Sequence, residues 1–594
     1  MKLSDYVAHF LAKEGIRHVF AVSGGASVHL IQSVADQPGL SFICPLHEQA
    51  GAMAADAYSR VTGNLGAAIS TSGPGATNLL TGVACAYYDS VPVIYITGQV
   101  ATFRSRAGTG VRQIGFQETD TIDIFKHVTK YAVRVDDPKL IRRELEKACY
   151  FARELRPGPV LIDIPDNVQR EEINPDHLSG FTGEPSPSVT GLQQEMPELL
   201  NLIANAQRPV LIVGWGLRLS KAEKEFPEFI DQIGFPVVPT WAAADILPSD
   251  HPLAVGTFGT HGTRYANFAV QNADLILSIG SRLDTKATGS PASTFARGAK
   301  KIVVDIDHTE LGKFQKFGLH VDFPIKADVS EFLRVLIPQL KNLKRRSIEN
   351  WINQISHWKN KYPICLPEYL LEEGVNPYVF VKTLSQNASP GDVFMVDTGC
   401  TLAWMMQTFE FKTGQRLFHD WNNTAMGWAL PASIAASLAM DRKPVVCVTG
   451  DGSLLMNVQE LATVVHHNLP IKIFLISNQG YSMIRQTQDQ WLCSRFLASS
   501  MEGGLPIPDF GKVAEAFGLQ VYSLSLNRDL TNGIQEVMRQ AGPTFCIVEI
   551  SPNHRVIPQV KFGRPNEDLD PLLPRSHFLE DMIIPPLEVS IREG

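Results

Sequence analysis

Short β-branched and apolar runs recur along the chain at intervals filled by helical patterns, and this recurrence restricts the fold more than any other feature. The first series is HVFAV (18–22), AAIST (67–71), VPVIYITG (91–98) and VLIDIP (160–165). Runs of this kind carry no polar face, so each strand must be covered on both sides. A second series follows: PVLIVGWG (209–216), FPVVPT (235–240), ADLILSIGSRLD (273–284) and KKIVVDID (300–307). The third is VFMVDTG (393–399), KPVVCVTGDGS (443–453), IKIFLISNQG (471–480) and TFCIVEIS (544–551). Fully buried strands alternating with helices form parallel sheets with helices on both faces. The chain therefore reads as α/β, with three doubly wound parallel-sheet domains. Its 594 residues accommodate them at roughly 100 to 200 residues per domain.

The first pattern stops near Gln169, which places one domain over 1–172. Residues 173–197 are polar and rich in Pro, Gly and Ser, the composition of a linker. The second domain is expected over 190–340 and the third over 368–555, with the charged stretch KNLKRRSIENWINQISHWKNKYP (341–363) between them. The Pro-rich tail, 556–594, is expected to be irregular. In the opening MKLSDYVAHFLAKEG, Leu3, Val7, Phe10 and Leu11 fall at helical spacing, which reads as an amphipathic helix rather than a signal peptide.

Hydrophobic residues make up 44% of the chain and charged ones 19%, enough apolar material for several cores. The net charge is −8 and no basic run tracks a phosphate backbone, which argues against nucleic acid as a partner. The apolar stretches fall short of the ~20 residues a membrane span needs, so no membrane partner and a soluble protein are expected. Eight cysteines without a CxxC pair read as reduced thiols in a cytoplasmic protein.

The most specific local signal is GDGS (450–453), directly after an apolar strand and followed by SNQG (477–480). Asp451 and Asn478 lie one strand–helix–strand unit apart, which can return both side chains to the carboxyl edge of adjacent strands. A carboxylate, an amide oxygen and the carbonyl of Gly480 are a hard-oxygen set suited to Mg²⁺. Gly452 and Ser453 would offer N–H groups and a hydroxyl to a diphosphate. Taken alone, GDG also reads as a turn with an Asp cap; the asparagine at this spacing favours the metal–diphosphate reading.

That spacing resembles the thiamine diphosphate signature, whose second element is a glutamate at a strand end in the first domain. Glu48 stands there, after SFICPL and before an alanine-rich helix. Its carboxyl would bond the pyrimidine ring of the cofactor and help its amino group act as a base. More widely, the chain resembles the acetolactate synthase (acetohydroxyacid synthase) large-subunit branch of the thiamine diphosphate enzymes. The resemblance covers about residues 1–555, through SGGAS (23–27), LHEQAGAMAADAYSR (46–60), TSGPGATNLLTG (71–82), GFQET (115–119), RPGPVLIDIP (156–165), GTHGTRYANFAV (259–270), VDIDHTELGK (304–313), AMGWALPA (425–432) and GDGSLLMNVQELAT (450–463).

This resemblance implies a pyrimidine-binding domain, a central domain and a diphosphate-binding domain, with each cofactor held between two subunits. At least a homodimer follows, and a homotetramer is also open. Gly25 maps to the loop near the reacting carbonyl, Phe116 and Gln117 to the motif beside the thiazolium face, and Met426 to the apolar residue that bends the cofactor. A lone GxG at Gly214 and Gly216 is weak evidence for a dinucleotide, but the family binds FAD in this domain. Gly259, His261, Gly280, Arg282 and Asp328 match its flavin contacts, and Asp305 stands in the VDID string at a later strand end of the same domain.

Departures from the family pattern concentrate where a second substrate is expected. Thr487 replaces the tryptophan of RQWQ, Asp166 the lysine of IPKD, and Lys286 the arginine of FDDR; Thr260 turns GMHG into GTHG. An insertion, RSRAGTGVRQI (104–114), precedes FQE. The changes turn one cation into an anion, one bidentate guanidinium into a point charge, and remove one large aromatic, which predicts a roomier acceptor pocket with less attraction for a carboxylate. The expected activity is thus a carboligase that decarboxylates pyruvate and transfers the two-carbon unit to a ketone or aldehyde, in the extreme a nucleotide-linked 4-ketosugar. The alternatives are acetolactate synthase of branched-chain amino-acid biosynthesis and a pyruvate oxidase that uses the flavin for electron transfer.

Overall fold

The computed structural model describes residues 1–184 and 192–592 and contains three parallel sheets with helices on both faces. The first sheet comprises β1 (His18–Ala21), β2 (Ser41–Ile43), β3 (Gly66–Ser70), β4 (Val93–Gln99), β5 (Tyr131–Arg134) and β6 (Val160–Pro165), in the order β2-β1-β3-β4-β6-β5. The second has β7 (Pro209–Val213), β8 (Val237–Pro239), β9 (Leu275–Ile279), β10 (Lys300–Asp305) and β11 (Phe323–Lys326), ordered β11-β10-β9-β7-β8. The third is built from β12 (Val393–Val396), β13 (Arg416–Phe418), β14 (Val445–Gly450), β15 (Ile471–Ser477), β16 (Gln520–Leu524) and β17 (Thr544–Glu549), ordered β13-β12-β14-β15-β17-β16. First and third sheets share one wiring. Each sheet has a reversal of strand order between two parallel neighbours near its start, and the loops leaving those strands splay to open a crevice. The crevices lie between β1 and β3, β7 and β9, and β12 and β14, where SGG and TSGPG, GWG and GSR, and DTG and GDGS follow the strands.

Two helices join the first and third units. Helix Glu48–Thr62 is buried along almost its whole length from Ala50 to Arg60, and helix Ala429–Ala439 is buried through Leu438. Both are rich in alanine, which lets their backbones approach, and they merge the two units into one apolar core containing Phe20, Met53 and Tyr95 on one side and Met395, Trp428 and Leu475 on the other.

Two expectations need correction. The linker predicted over 173–197 falls partly on residues 185–191, outside the described residues, but its end is helical. Helix Leu192–Asn205 buries Leu192, Met196, Leu199 and Ile203, a helical spacing that the polar composition masked. The tail is also not irregular. Val560 and Leu569 pair in a short antiparallel ladder, helix Arg575–Asp581 follows, and both pack on the central unit. Glu567 bonds Gln271 and Arg297, and Asp581 accepts Trp358 Nε1 at 2.9 Å. Buried polar side chains thus anchor a segment whose prolines suggested a loose end. Among the described residues no helix is long and apolar enough to cross a membrane.

Candidate active site

Glu48 opens its helix directly after β2, with His47 as the cap whose ring accepts the Gln49 N–H at 3.1 Å. The Glu48 carboxylate accepts one hydrogen bond, from Asn78 Nδ2 at 2.9 Å. A side chain at position 75 would stand 3.3 Å from Glu48 Oε1 and 2.7 Å from Thr71, so Gly75 leaves room above the carboxylate. Across the crevice the 23–27 turn leans on Thr71, whose hydroxyl accepts the Ala26 N–H at 3.2 Å. The backbone of Gly25 faces open space. Gln117 closes the third side with φ +62°, a left-handed conformation unusual for a residue with a side chain, packed against Gly73. Glu48, Gly25 and Gln117 thus share one strand edge. Phe116 is there too, but 86% exposed.

On the third unit the Asp451 carboxylate accepts Gly452 N–H at 2.7 Å, Asn478 N–H at 3.1 Å and Gly480 N–H at 3.2 Å. These bonds fold the two strand ends around one aspartate, and Asp451, Asn478 and Gly480 come together as the spacing predicted. Asn478 Oδ1 is buried without a partner among the described residues. A buried carbonyl oxygen left without a donor is strongly disfavoured unless something else occupies it. Beside a carboxylate, the set suits a hard divalent cation such as Mg²⁺. Burial holds the Asp451 carboxyl above the usual aspartate range despite its N–H donors. Gly452 faces the Tyr481 ring so closely that a Cβ would lie 2.0 Å from it. Met426, half-buried, is held on both sides by buried aspartates: Asp420 accepts Ala425 N–H at 2.8 Å and Asp397 accepts Trp428 N–H at 3.0 Å. Burial pushes Asp397 up to about 6.

A third cavity lies at the crevice of the central sheet and is closed by all three units. Gly214, Gly216, Gly280, Arg282, Asp305 and Asp328 line it, with His261, Thr260 and Lys286 on another wall and Asp89 and Asn422 contributed by the flanking units. The glycines are demanded by close backbone approach: a Cβ on Gly214 would stand 2.3 Å from Gly280 O, and one on Gly216 2.6 Å from Gly280 Cα. Gly259, with φ +105°, lies against Lys286 O, and both its N–H and its carbonyl bond the buried Asn267. Arg282 donates to Asn422 Oδ1 at 2.7 Å. Burial lowers His261 to about 4, so its ring is neutral, and raises Asp305 to about 6. One Asp328 oxygen caps helix Val329–Leu340 through Ser330 and Glu331. The Trp215 indole N–H is buried and unpartnered among the described residues.

Comparison with known proteins gives these sites a family. Residues 1–124 match the N-terminal TPP binding domain of thiamine pyrophosphate enzymes, 196–336 their central domain, and 397–548 their C-terminal TPP binding domain. The acetolactate synthase large subunit of Porphyra purpurea is 34% identical over 577 residues, 94% of this chain and 93% of that protein. The chloroplastic acetolactate synthases of Nicotiana tabacum (acetolactate synthase 2) and Arabidopsis thaliana are each 33% identical, over 96% and 95% of this chain and 85% and 83% of their own lengths. The chain belongs to the acetolactate synthase-like thiamine diphosphate enzymes. It is accordingly a C–C bond-forming enzyme that uses thiamine diphosphate.

For an acetolactate synthase-like enzyme, the four residues that depart from the family pattern fall in three separate places in one chain. Asp166 follows β6 directly and opens helix Asp166–Gln169 on the Glu48-bearing edge, where it faces Arg170 at 3.4 Å. Thr487 sits on helix Ser482–Trp491 of the third unit, its hydroxyl donating back to Met483 O at 3.2 Å. Thr260 and Lys286 stand in the central cavity, the Lys286 ammonium 5.5 Å from the Trp241 ring centre, and burial lowers its pKa. Asn78, Thr71, Asp397 and Asn422 were missed as site residues. Asn78 stands within TSGPGATNLLTG (71–82), but its bond to Glu48 spans 30 residues and has no local sign.

Proposed function

We propose that the enzyme catalyses the acetolactate synthase reaction: pyruvate as donor, a second 2-ketoacid as acceptor, with Mg²⁺ and FAD as further cofactors. The observation that carries this reading is Asn478 Oδ1, a buried oxygen unpartnered among the described residues beside Asp451, in a chain related along nearly its whole length to acetolactate synthases. When bound, thiamine diphosphate would supply the electron sink that lets a 2-ketoacid lose carbon dioxide and attack a second carbonyl. Glu48 holds and moves the proton at the pyrimidine ring, and Asn78 orients its carboxylate. Asp451, Asn478 and the Gly480 carbonyl would hold the metal, Gly452 and Ser453 the diphosphate, and Met426 the ring system between them. FAD would be held in the central cavity by Arg282, the neutral His261 and the Trp215 N–H, which is unpartnered among the described residues.

A second reading keeps the donor and changes the acceptor to a larger carbonyl compound. It is favoured by Thr487, a small side chain, and by Asp166, which puts a negative charge on the Glu48-bearing edge. Nothing in the relatives supports a sugar nucleotide. One measurement separates the readings. Given pyruvate alone and then a panel of ketones and aldehydes, the enzyme should form acetolactate fastest; a faster neutral acceptor would transfer the proposal to the second reading. Oxygen consumption matching pyruvate would instead indicate an oxidase.

The open backbone at Gly25 and the exposed Phe116 support completion of the site by a second copy of the chain, Glu48 from one meeting Asp451 from the other. Glu48→Gln should lower carboligation by roughly 100- to 10,000-fold while the cofactor still binds. Mixing it with Asp451→Ala under subunit exchange should restore part of the activity, because each mixed dimer holds one intact pair. No recovery in demonstrably mixed dimers would place both residues in one subunit's site.

A further inference from the structure

Glu118 stands beside the residues just assigned, and no role has fallen to it. Only 7% exposed, it receives four hydrogen bonds on one carboxylate. Oε1 accepts the Ser105 hydroxyl at 2.9 Å and the Arg106 N–H at 2.6 Å; Oε2 accepts the Ile114 N–H at 2.9 Å and the Gly115 N–H at 3.2 Å. One oxygen therefore takes the start of the inserted segment and the other its end. A carboxylate offers about four lone-pair sites, so its capacity is filled. Among the described residues it forms no ion pair, which leaves these donors as its partners.

The closed segment is braced from outside as well. Arg106 reaches across the loop to the Val111 carbonyl at 2.8 Å and pairs with Asp120. At its base, Thr102 exchanges two hydrogen bonds with Asn167, and Arg134 donates to the Ser105 hydroxyl at 3.1 Å. Beyond Glu118, Gln99 ties the Thr119 carbonyl at 2.8 Å to the buried Asp163. Between these braces lies Gln117, whose left-handed backbone persists only where its surroundings over-determine it. Burial alone would raise the Glu118 carboxyl. The N–H donors of Ile114 and Arg106 and the Ser105 hydroxyl outweigh it and hold the group below the usual glutamate range, so it stays ionised at neutral pH.

We propose that Glu118 is a positioning residue: by stapling residues 105–106 to 114–115 it makes the inserted segment a fixed wall of the active site and holds Phe116 and Gln117 in place beside the reacting carbon. The catalytic part of this proposal rests on the carboligase reading; the staple itself does not.

The test compares wild type, Glu118→Gln and Glu118→Asp, each loaded with thiamine diphosphate and Mg²⁺. An amide turns a donor toward N–H groups that need acceptors, whereas aspartate keeps the charge. Arg104, Arg106 and Arg112 make the segment its own protease reporter. Trypsin should cut Glu118→Gln there at least tenfold faster than wild type, with Glu118→Asp between them. The circular dichroism band of bound thiamine diphosphate should change in Glu118→Gln and return toward wild type in Glu118→Asp. With pyruvate, a loosened wall should admit water, so that Glu118→Gln releases at least fivefold more acetaldehyde per C–C product, again partly rescued by aspartate. Unchanged cleavage would overturn the staple. Faster cleavage with unchanged dichroism and product ratio would reduce Glu118 to a loop fastener and overturn its positioning role. If the wild type fails to use pyruvate, the carboligase reading falls, and cleavage together with dichroism still decides the staple. Should Glu118→Gln not fold, Ser105→Ala, which removes one of the four donors, is read in the same way with smaller effects.

Discussion

Asn478 and Asp451 both face the proposed metal, but their side chains do different work in the folded chain. The Asp451 carboxylate organises three backbone N–H groups, while Asn478 Oδ1 bonds nothing among the described residues. Removing an acceptor strands its donors, whereas removing an unsatisfied buried atom relieves a desolvation penalty. Asp451→Ala should therefore lose about 1 to 3 kcal/mol of stability even without metal. Asn478→Ala should leave the metal-free protein as stable as wild type or slightly more so, yet raise the Mg²⁺ concentration needed for activity. Denaturant midpoints without metal and Mg²⁺ titrations of activity check this, and equal destabilisation by both variants would refute the reading of Asn478. The sequence exposed these two residues and Glu48 because each stands in a short string at a strand end. It hid Asn78 and Asp397, whose bonds to Glu48 and to the Trp428 N–H close over 30 and 31 residues, lengths set by tertiary packing.

Element by element, most of the strands visible in the sequence are buried on both faces; the edge strand β2 is the exposed exception. The run at 160–165 coincides with β6, and those at 393–399 and 471–480 begin with β12 and β15. In the three parallel sheets four strands carry no such run: β5, β11, β13 and β16, each at the edge of its sheet. An edge strand has a neighbour on one side only and is partly covered: β5 is half-buried throughout, and β16 buries only Leu524. No apolar run marks it. Glycine carries a similar ambiguity. The GWG turn hints at a nucleotide, but Gly214 is required first by the backbone of Gly280 at its side. Gly214→Ala should force the β7 turn away from that strand end at about 1 to 3 kcal/mol, a typical penalty for overpacking. Thermal unfolding would show it, and an unchanged transition would mean that the turn can shift freely.

Across the whole molecule, the decisive contact is one the strand patterns could not reveal, because it joins units far apart in sequence. Arg60, on the helix that begins at Glu48, is fully buried between the first and third units. Its Nε donates to Asp56 at 3.0 Å, and its Nη1 to Asp89 at 2.7 Å and to the His419 carbonyl at 2.9 Å. Trp428, at the head of the helix after Met426, donates its indole N–H to the same Asp56 at 2.8 Å, and Asp420 lies within the cluster. One guanidinium thus holds several buried carboxylates between the helix carrying the proposed proton-transfer residue and the loop carrying Met426. Truncating one partner of a buried ionic network leaves unpaired charge, so Arg60→Ala should cost about 3 to 5 kcal/mol. The pH dependence is diagnostic. Burial first, and repulsion from Asp89 second, push Asp420 up to about 7, and burial raises Asp56, while Arg60 opposes both shifts. An acid whose pKa is higher folded than unfolded binds more protons when folded, so its stabilising contribution is complete below the unfolded value near 4 and is lost as pH rises through the folded one. Without Arg60 the folded values rise further and the effect grows. Lowering the pH from 7.5 to 5 should therefore return part of the stability lost by Arg60→Ala, and return more of it than the same step gives wild type. Denaturant unfolding at the two pH values measures this; a variant that gains no more than wild type on acidification would show that the carboxylates are not left charged at the junction, and that Arg60 serves there by packing alone.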